Sequence, residues 1–170
     1  MYRPVQLAHC LLKHRTEVPS QFLLVGDGGV GKSSLVDRLH RVDTVLLDSW
    51  SSQGSSQAID GIIRAGQAFI LVYSVVERHS FEDTVNYCKK IRQVTQDSRA
   101  ICALVGNKRD LSHEREVFSS EGRALARELD CDFFETSAKT GENLELVVQT
   151  LVQRLRSTQK QTEIGQDSSA

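Results

Sequence analysis

Eight consecutive residues carry the densest chemistry in the chain: Gly26-Asp27-Gly28-Gly29-Val30-Gly31-Lys32-Ser33 fits the spacing G-x-x-x-x-G-K-[ST]. Glycines let a backbone wrap a chain of phosphates, so that several N–H groups converge as an anion nest. A helix opening at Lys32 adds the partial positive charge of its N-terminus at the same place. In that arrangement the Lys32 ammonium reaches the β- and γ-phosphates, and the Ser33 hydroxyl supplies an oxygen to Mg²⁺. The bland alternative is a glycine-rich turn between a strand and a helix. The Lys-Ser pair and the apolar run Phe22–Val25 entering the loop argue against it.

Two further motifs lie downstream. Asn107-Lys108-Arg109-Asp110 follows the apolar run Ala100–Val105, at the carboxyl end of a strand, where open α/β sheets place ligands. The Asp110 carboxylate offers two acceptor oxygens to a base edge with two adjacent donors. Guanine N1–H and N2–H₂ form such a pair, and adenine presents none there. Glu135-Thr136-Ser137-Ala138-Lys139 follows another strand-like run. Either motif alone reads equally well as a polar turn or a helix-capping loop. All three in order, each after an apolar run, point to a guanine nucleotide.

The elements that must position these residues alternate along the chain. Gln21–Val25, Thr44–Leu47, Ala68–Val75, Ala100–Val105 and Asp132–Glu135 are short apolar runs, suited to strands buried on both faces of a parallel sheet. Between them, Phe81, Val85, Cys88 and Ile91 share a helical face, with Ser80 and Asp83 spaced as a capping box. Leu144, Val147, Val148, Leu151 and Leu155 make a second stripe. Ala124, Leu125 and Leu129 make a third, with Ser119 or Ser120 as its cap. Strands alternating with helices predict a doubly wound α/β domain.

The chain of 170 residues is long enough for one domain with a proper core. Its net charge of −1 gives no general attraction to nucleic acid, and no nucleic-acid partner is expected. The cysteines Cys10, Cys88, Cys102 and Cys131 are scattered without a C-x-x-C pair, which reads as reduced core residues of a cytoplasmic protein. Three segments are expected: a flexible N-terminal extension (1–20), a globular body (21–156) and a polar C-terminal tail (157–170). No cysteine follows Cys131, so no C-terminal prenyl anchor is expected. Membrane association would rest on analogy alone.

Residues 21–156 resemble the Ras superfamily of small GTPases, most closely its Ras branch. The resemblance is carried by the phosphate loop, by Val105-Gly106-Asn107-Lys108-Arg109-Asp110-Leu111 and by Glu135–Lys139. It implies a P-loop NTPase fold, a mainly parallel sheet with flanking helices, binding GTP or GDP with Mg²⁺. Carried over by position, nucleotide contacts fall on Gly26, Asp27, Gly28, Gly29, Val30, Gly31, Lys32, Ser33, Ser34, Asn107, Lys108, Asp110, Ser137, Ala138 and Lys139. Asp110 would hold the guanine edge and Asn107 would brace the base and the phosphate loop. The Lys108 stem would stack on the base, and the Ala138 N–H would meet guanine O6. Lys32 and Gly28 are the implied catalytic positions, Gly28 being one where a side chain impairs hydrolysis in the family. Ser33, and Asp48 through water, would hold Mg²⁺.

The interval between the first two motifs is short. Only 14 residues separate Ser33 from Asp48. A helix through about Arg41 and one strand, Val42–Leu47, use all of them. In the family this interval also carries the first switch loop, with its Mg²⁺-binding threonine, and an antiparallel edge strand. A further strand alone takes about five residues, so neither fits and a sheet of about five strands is expected. The family's catalytic glutamine position falls on Ser52, with Gln53 one step off. Ser52 is too short to orient an attacking water. Turnover in Ras itself is slow until a partner arginine raises it by roughly 10³–10⁵-fold, so hydrolysis here is expected to be slow or absent. Three readings stand: a slow signalling GTPase, a non-cycling pseudo-GTPase scaffold, and a truncated isoform of a longer small GTPase. Effectors and regulators are not identified by these residues.

Overall fold

The computed structural model describes residues 21–39, 42–47, 56–97 and 100–167, with backbone alone for Ser56 and residues 160–167. Five parallel strands form one sheet. They are β1 (Gln21–Val25), β2 (Asp43–Leu47), β3 (Ala68–Ser74), β4 (Cys102–Asn107) and β5 (Asp132–Glu135), in the order β2-β1-β3-β4-β5. Parallel neighbours need crossovers, and helices supply them. These are α1 (Lys32–Arg38), α2 (Ser56–Ala65), α3 (Arg78–Thr95), α4 (Ser119–Glu128) and α5 (Leu144–Asp167), with a 3₁₀ segment at Arg109–Glu114.

Every residue of β3 and β4 is buried, which is why their sequences read as unbroken apolar runs rather than alternating ones. Successive side chains nevertheless serve two different cores. Leu23, Phe69, Leu71, Cys102 and Leu104 face α2, α3 and α4, whose Ile63, Phe81, Ile91 and Ala126 close that layer. Phe22, Leu24, Ile70, Val72 and Ala103 face α1 and α5, packing on Leu35, Val147 and Leu151. From β1 the chain runs outward to β2, then crosses to the other side at β3. The carboxyl end of β1 is therefore a topological switch point, where such sheets open a crevice for a ligand.

The helix starts differ from the sequence expectations. Ser80 is not the cap of α3: Glu77 is, and Ser80 lies within the first turn. Its buried hydroxyl donates to the Glu77 carbonyl (2.8 Å) and accepts from the Ser74 N–H (3.0 Å), joining the end of β3 to the helix. Asp83 does not close a capping box and lies 3.2 Å from His79 Nε2. For α4 the cap is Phe118 rather than Ser119 or Ser120. The Glu121 carboxylate accepts the Phe118 N–H at 2.9 Å, the acidic half of a capping box. The helix expected through about Arg41 ends at Arg38, where the Leu39 N–H bonds back to Leu35 and Val36. α2 carries no sequence expectation; it buries Ile63 and reaches α3 through Asp60 and Lys90, 2.9 Å apart. α5 continues across position 156 to Asp167. None of the described helices is long and apolar enough to cross a membrane.

Candidate nucleotide-binding site

The loop after β1 lies so close to β3 that a Cβ at Gly26 would sit 2.2 Å from the Val72 carbonyl oxygen. Gly31 has φ +95°, and a Cβ there would lie 2.4 Å from Asn107 Nδ2. Both glycines are thus demanded by close approach, and Gly31 also by its left-handed backbone. Gly28 differs: its Cβ position is open. The Lys32 side chain is folded over the loop, 4% exposed, and its ammonium donates to the carbonyls of Gly26 (2.9 Å) and Asp27 (2.5 Å). Asp27 is held from the other side by the Tyr87 hydroxyl of α3. α1, which opens at Lys32, has only seven residues.

Asn107 ends β4 instead of following it, because the β3–β4 ladder extends to the pair Ser74–Asn107. Only 1% exposed, it joins three segments. Its Nδ2 donates to the Val30 carbonyl of the phosphate loop at 2.9 Å. Its Oδ1 accepts from the Ala138 N–H at 3.1 Å and the Thr136 hydroxyl at 3.3 Å. The next residue, Lys108, has left-handed backbone (φ 64°) and places its ammonium 3.5 Å from Glu77. Asp110 accepts from the Ser137 hydroxyl at 2.6 Å. Behind this loop pair, Arg115 grips Glu135 with two hydrogen bonds of 2.6 and 3.1 Å. Burial opposes ionisation of Glu135, but the Arg115 bonds, Ser119 and the nearby charges of Arg115 and Arg109 hold its pKa below the usual value.

Between the two loops opens a cavity of about 690 Å³, lined by Gly31, Ser34, Asp37, Arg38, Asn107, Lys108, Asp110, Ala138 and Lys139. Seven of these nine are sites expected from the motifs: Gly31, Ser34, Asn107, Lys108, Asp110, Ala138 and Lys139. Asp37 and Arg38 were not among them. They lie three and four residues beyond Ser34, hence on the same helix face, and that spacing is their only sequence signal. Arg38 Nη2 donates to the Lys139 carbonyl at 2.9 Å, closing the cavity on the α1 side. Gly26, Asp27, Gly28, Gly29, Val30, Lys32 and Ser33 make up the adjoining loop and helix start, with Ser33 exposed. Ser137 is buried behind Asp110. Asp48, Ser52 and Gln53 lie outside the described residues.

A glycine loop at the switch point, with two polar loops reaching toward it from the ends of β4 and β5, defines a P-loop nucleotide-binding domain. Residues 41–157 match the model of the Ras family. The match spans more than half of the chain, and the chain belongs to the Ras family of small GTP-binding proteins. The matched stretch contains both base-side motifs and begins after the phosphate loop.

Proposed function

We propose that this chain binds GTP and GDP between its phosphate loop and its two base-side loops, and hydrolyses GTP slowly as a cytoplasmic signalling component. The observation that carries the reading is Asn107, whose one buried side chain ties the phosphate loop to the Ala138 loop across the cavity. Asp110 is the receptor for the guanine edge, and the Lys108 stem stacks on the base. Guanine O6 would share the Ala138 N–H with Asn107. Lys32 and the loop amides hold the phosphates, and Gly28 leaves the loop clear over them. Ser33, exposed beside Lys32, suits the hydroxyl ligand of Mg²⁺, with Asp48 acting through water; the ion would screen the phosphate charge. Residues 21–156 form the binding domain, flanked by the 1–20 extension and the 157–170 tail.

Slow hydrolysis follows from what the chain has no room to hold. Only residues 39–42 link α1 to β2, too few for a switch loop and a further strand. Base and phosphate contacts suffer less from that shortening than water positioning does. The same short link favours a second reading, a guanine-nucleotide-binding module that does not cycle. Single-turnover hydrolysis of bound GTP separates the two. Slow phosphate release abolished by Lys32→Ala supports the enzyme; GTP retained unchanged for hours supports the module.

A further inference from the structure

Three cysteines far apart in sequence converge behind α3. Cys88 lies on α3, Cys102 opens β4 and Cys131 precedes β5, and their three Sγ atoms all lie within 4.8 Å of one another. Cys88 and Cys102 are fully buried, whereas Cys131 is half-buried, so solvent reaches the cluster from the Cys131 side. Zinc–thiolate bonds of about 2.3 Å at tetrahedral angles place sulfur pairs about 3.8 Å apart. Closing the cluster onto one ion therefore needs sulfur shifts of about 1 Å or less.

A second observation is Arg92, one helical turn beyond Cys88. Its Nη2 donates to the Leu129 carbonyl, while its Nε is buried without a hydrogen-bond partner among the described residues. The charge of this guanidinium acts on both Cys88 and Cys131. A thiolate is the acceptor that a buried cationic N–H lacks. Three thiolates around a divalent ion carry a net charge of about −1, which one arginine neutralises.

We propose that Cys88, Cys102 and Cys131 form a binding site for a thiophilic divalent cation of the zinc type, with Arg92 as its charge-balancing partner and a fourth position open to water beside Cys131. On binding, three S–H bonds break, three sulfur–metal bonds form and three protons pass to solvent, with no change of oxidation state. The Cys131 thiol gives up its 3.3 Å hydrogen bond to the Leu129 carbonyl, which keeps the Arg92 donor. Thiolate ligands select against Mg²⁺, so this site is chemically separate from the nucleotide's cation. It would clamp α3 to β4 and the start of β5.

Titration of the full, reduced, metal-stripped chain with Co²⁺ tests this. The expected result is thiolate-to-cobalt charge-transfer absorption saturating at one equivalent and reversed by Zn²⁺. It should survive Cys10→Ser, disappear in Cys131→Ser, and need about 10–100-fold more metal in Arg92→Met. Zn²⁺ should also raise the melting temperature of the parent but not of Cys131→Ser, whose fold is checked by circular dichroism. Folded parent protein without the absorption, full absorption in Cys131→Ser, or loss in Cys10→Ser would overturn the proposal and leave the three thiols as core packing.

Discussion

Asn107→Ala isolates the contact on which the site depends. The substitution removes one donor bond to Val30 (2.9 Å) and two acceptor bonds, from Ala138 (3.1 Å) and Thr136 (3.3 Å). Each buried hydrogen bond contributes about 1 kcal/mol net, and a partner left unsatisfied costs about 1–3 kcal/mol. Thr136 can rotate its hydroxyl, whereas the Val30 carbonyl and Ala138 N–H cannot leave their backbone positions. A loss of about 3–4 kcal/mol is expected, out of a total near 5–15 kcal/mol for a domain. At about 2–4 °C per kcal/mol for a chain of this size, the melting temperature should fall by roughly 6–16 °C. Circular-dichroism melting of nucleotide-free protein measures that. Release of a fluorescent GDP analogue should accelerate at least tenfold, or about 1.4 kcal/mol, because the two halves of the cavity lose their common tie. A melting temperature within about 2 °C of the parent's would refute the argument that Asn107 joins the loops.

Arg115→Ala should lower stability by about 3 kcal/mol, since Glu135 would remain charged, largely buried and deprived of its bidentate partner. Glu135 has a folded-state pKa below its unfolded value, so its contribution is present above the ordinary value of 4.5 and lost as pH falls through the folded pKa. Urea midpoints followed downward from neutral pH should decline steeply in the parent and less steeply in Arg115→Ala; parallel curves would exclude the pair as the cause. Among the loop glycines, Gly26→Ala should cost about 2–3 kcal/mol because its Cβ meets the Val72 carbonyl. Gly28→Ala, with nothing within 4 Å of its Cβ, should melt with the parent. Equal melting of the two variants would contradict the close approach of the loop to β3.

Much of the fold was legible because its three central strands, β1, β3 and β4, are buried on both faces. Leu23, Ile70 and Leu104 sit in runs that only a covered sheet explains, and the stripe from Leu144 to Leu155 marks the core contact of α5 among the described side chains. The helix starts were less legible. A serine anywhere in a first turn satisfies the capping pattern, and at Ser80 the hydroxyl is drawn to Ser74 and Glu77 instead. α2 was missed although Ile59 and Ile63, four residues apart, mark an apolar face of a strongly amphipathic helix that packs on the α3 side of the sheet. In the site, the motifs gave the loops that line the cavity, whereas Asp37 and Arg38 belong to no motif and arrive there by helix geometry. The sulfur cluster was invisible for a topological reason. Cys88, Cys102 and Cys131 meet only because α3, β4 and the entry to β5 are neighbours in the sheet layers.

The most direct measurement is chromatographic identification of the nucleotide released when freshly purified protein is denatured. The site as built predicts a guanine nucleotide at close to one per chain, absent from Asp110→Ala protein that still folds. An adenine nucleotide, or a folded parent protein that carries none and takes up no added GDP, would contradict it.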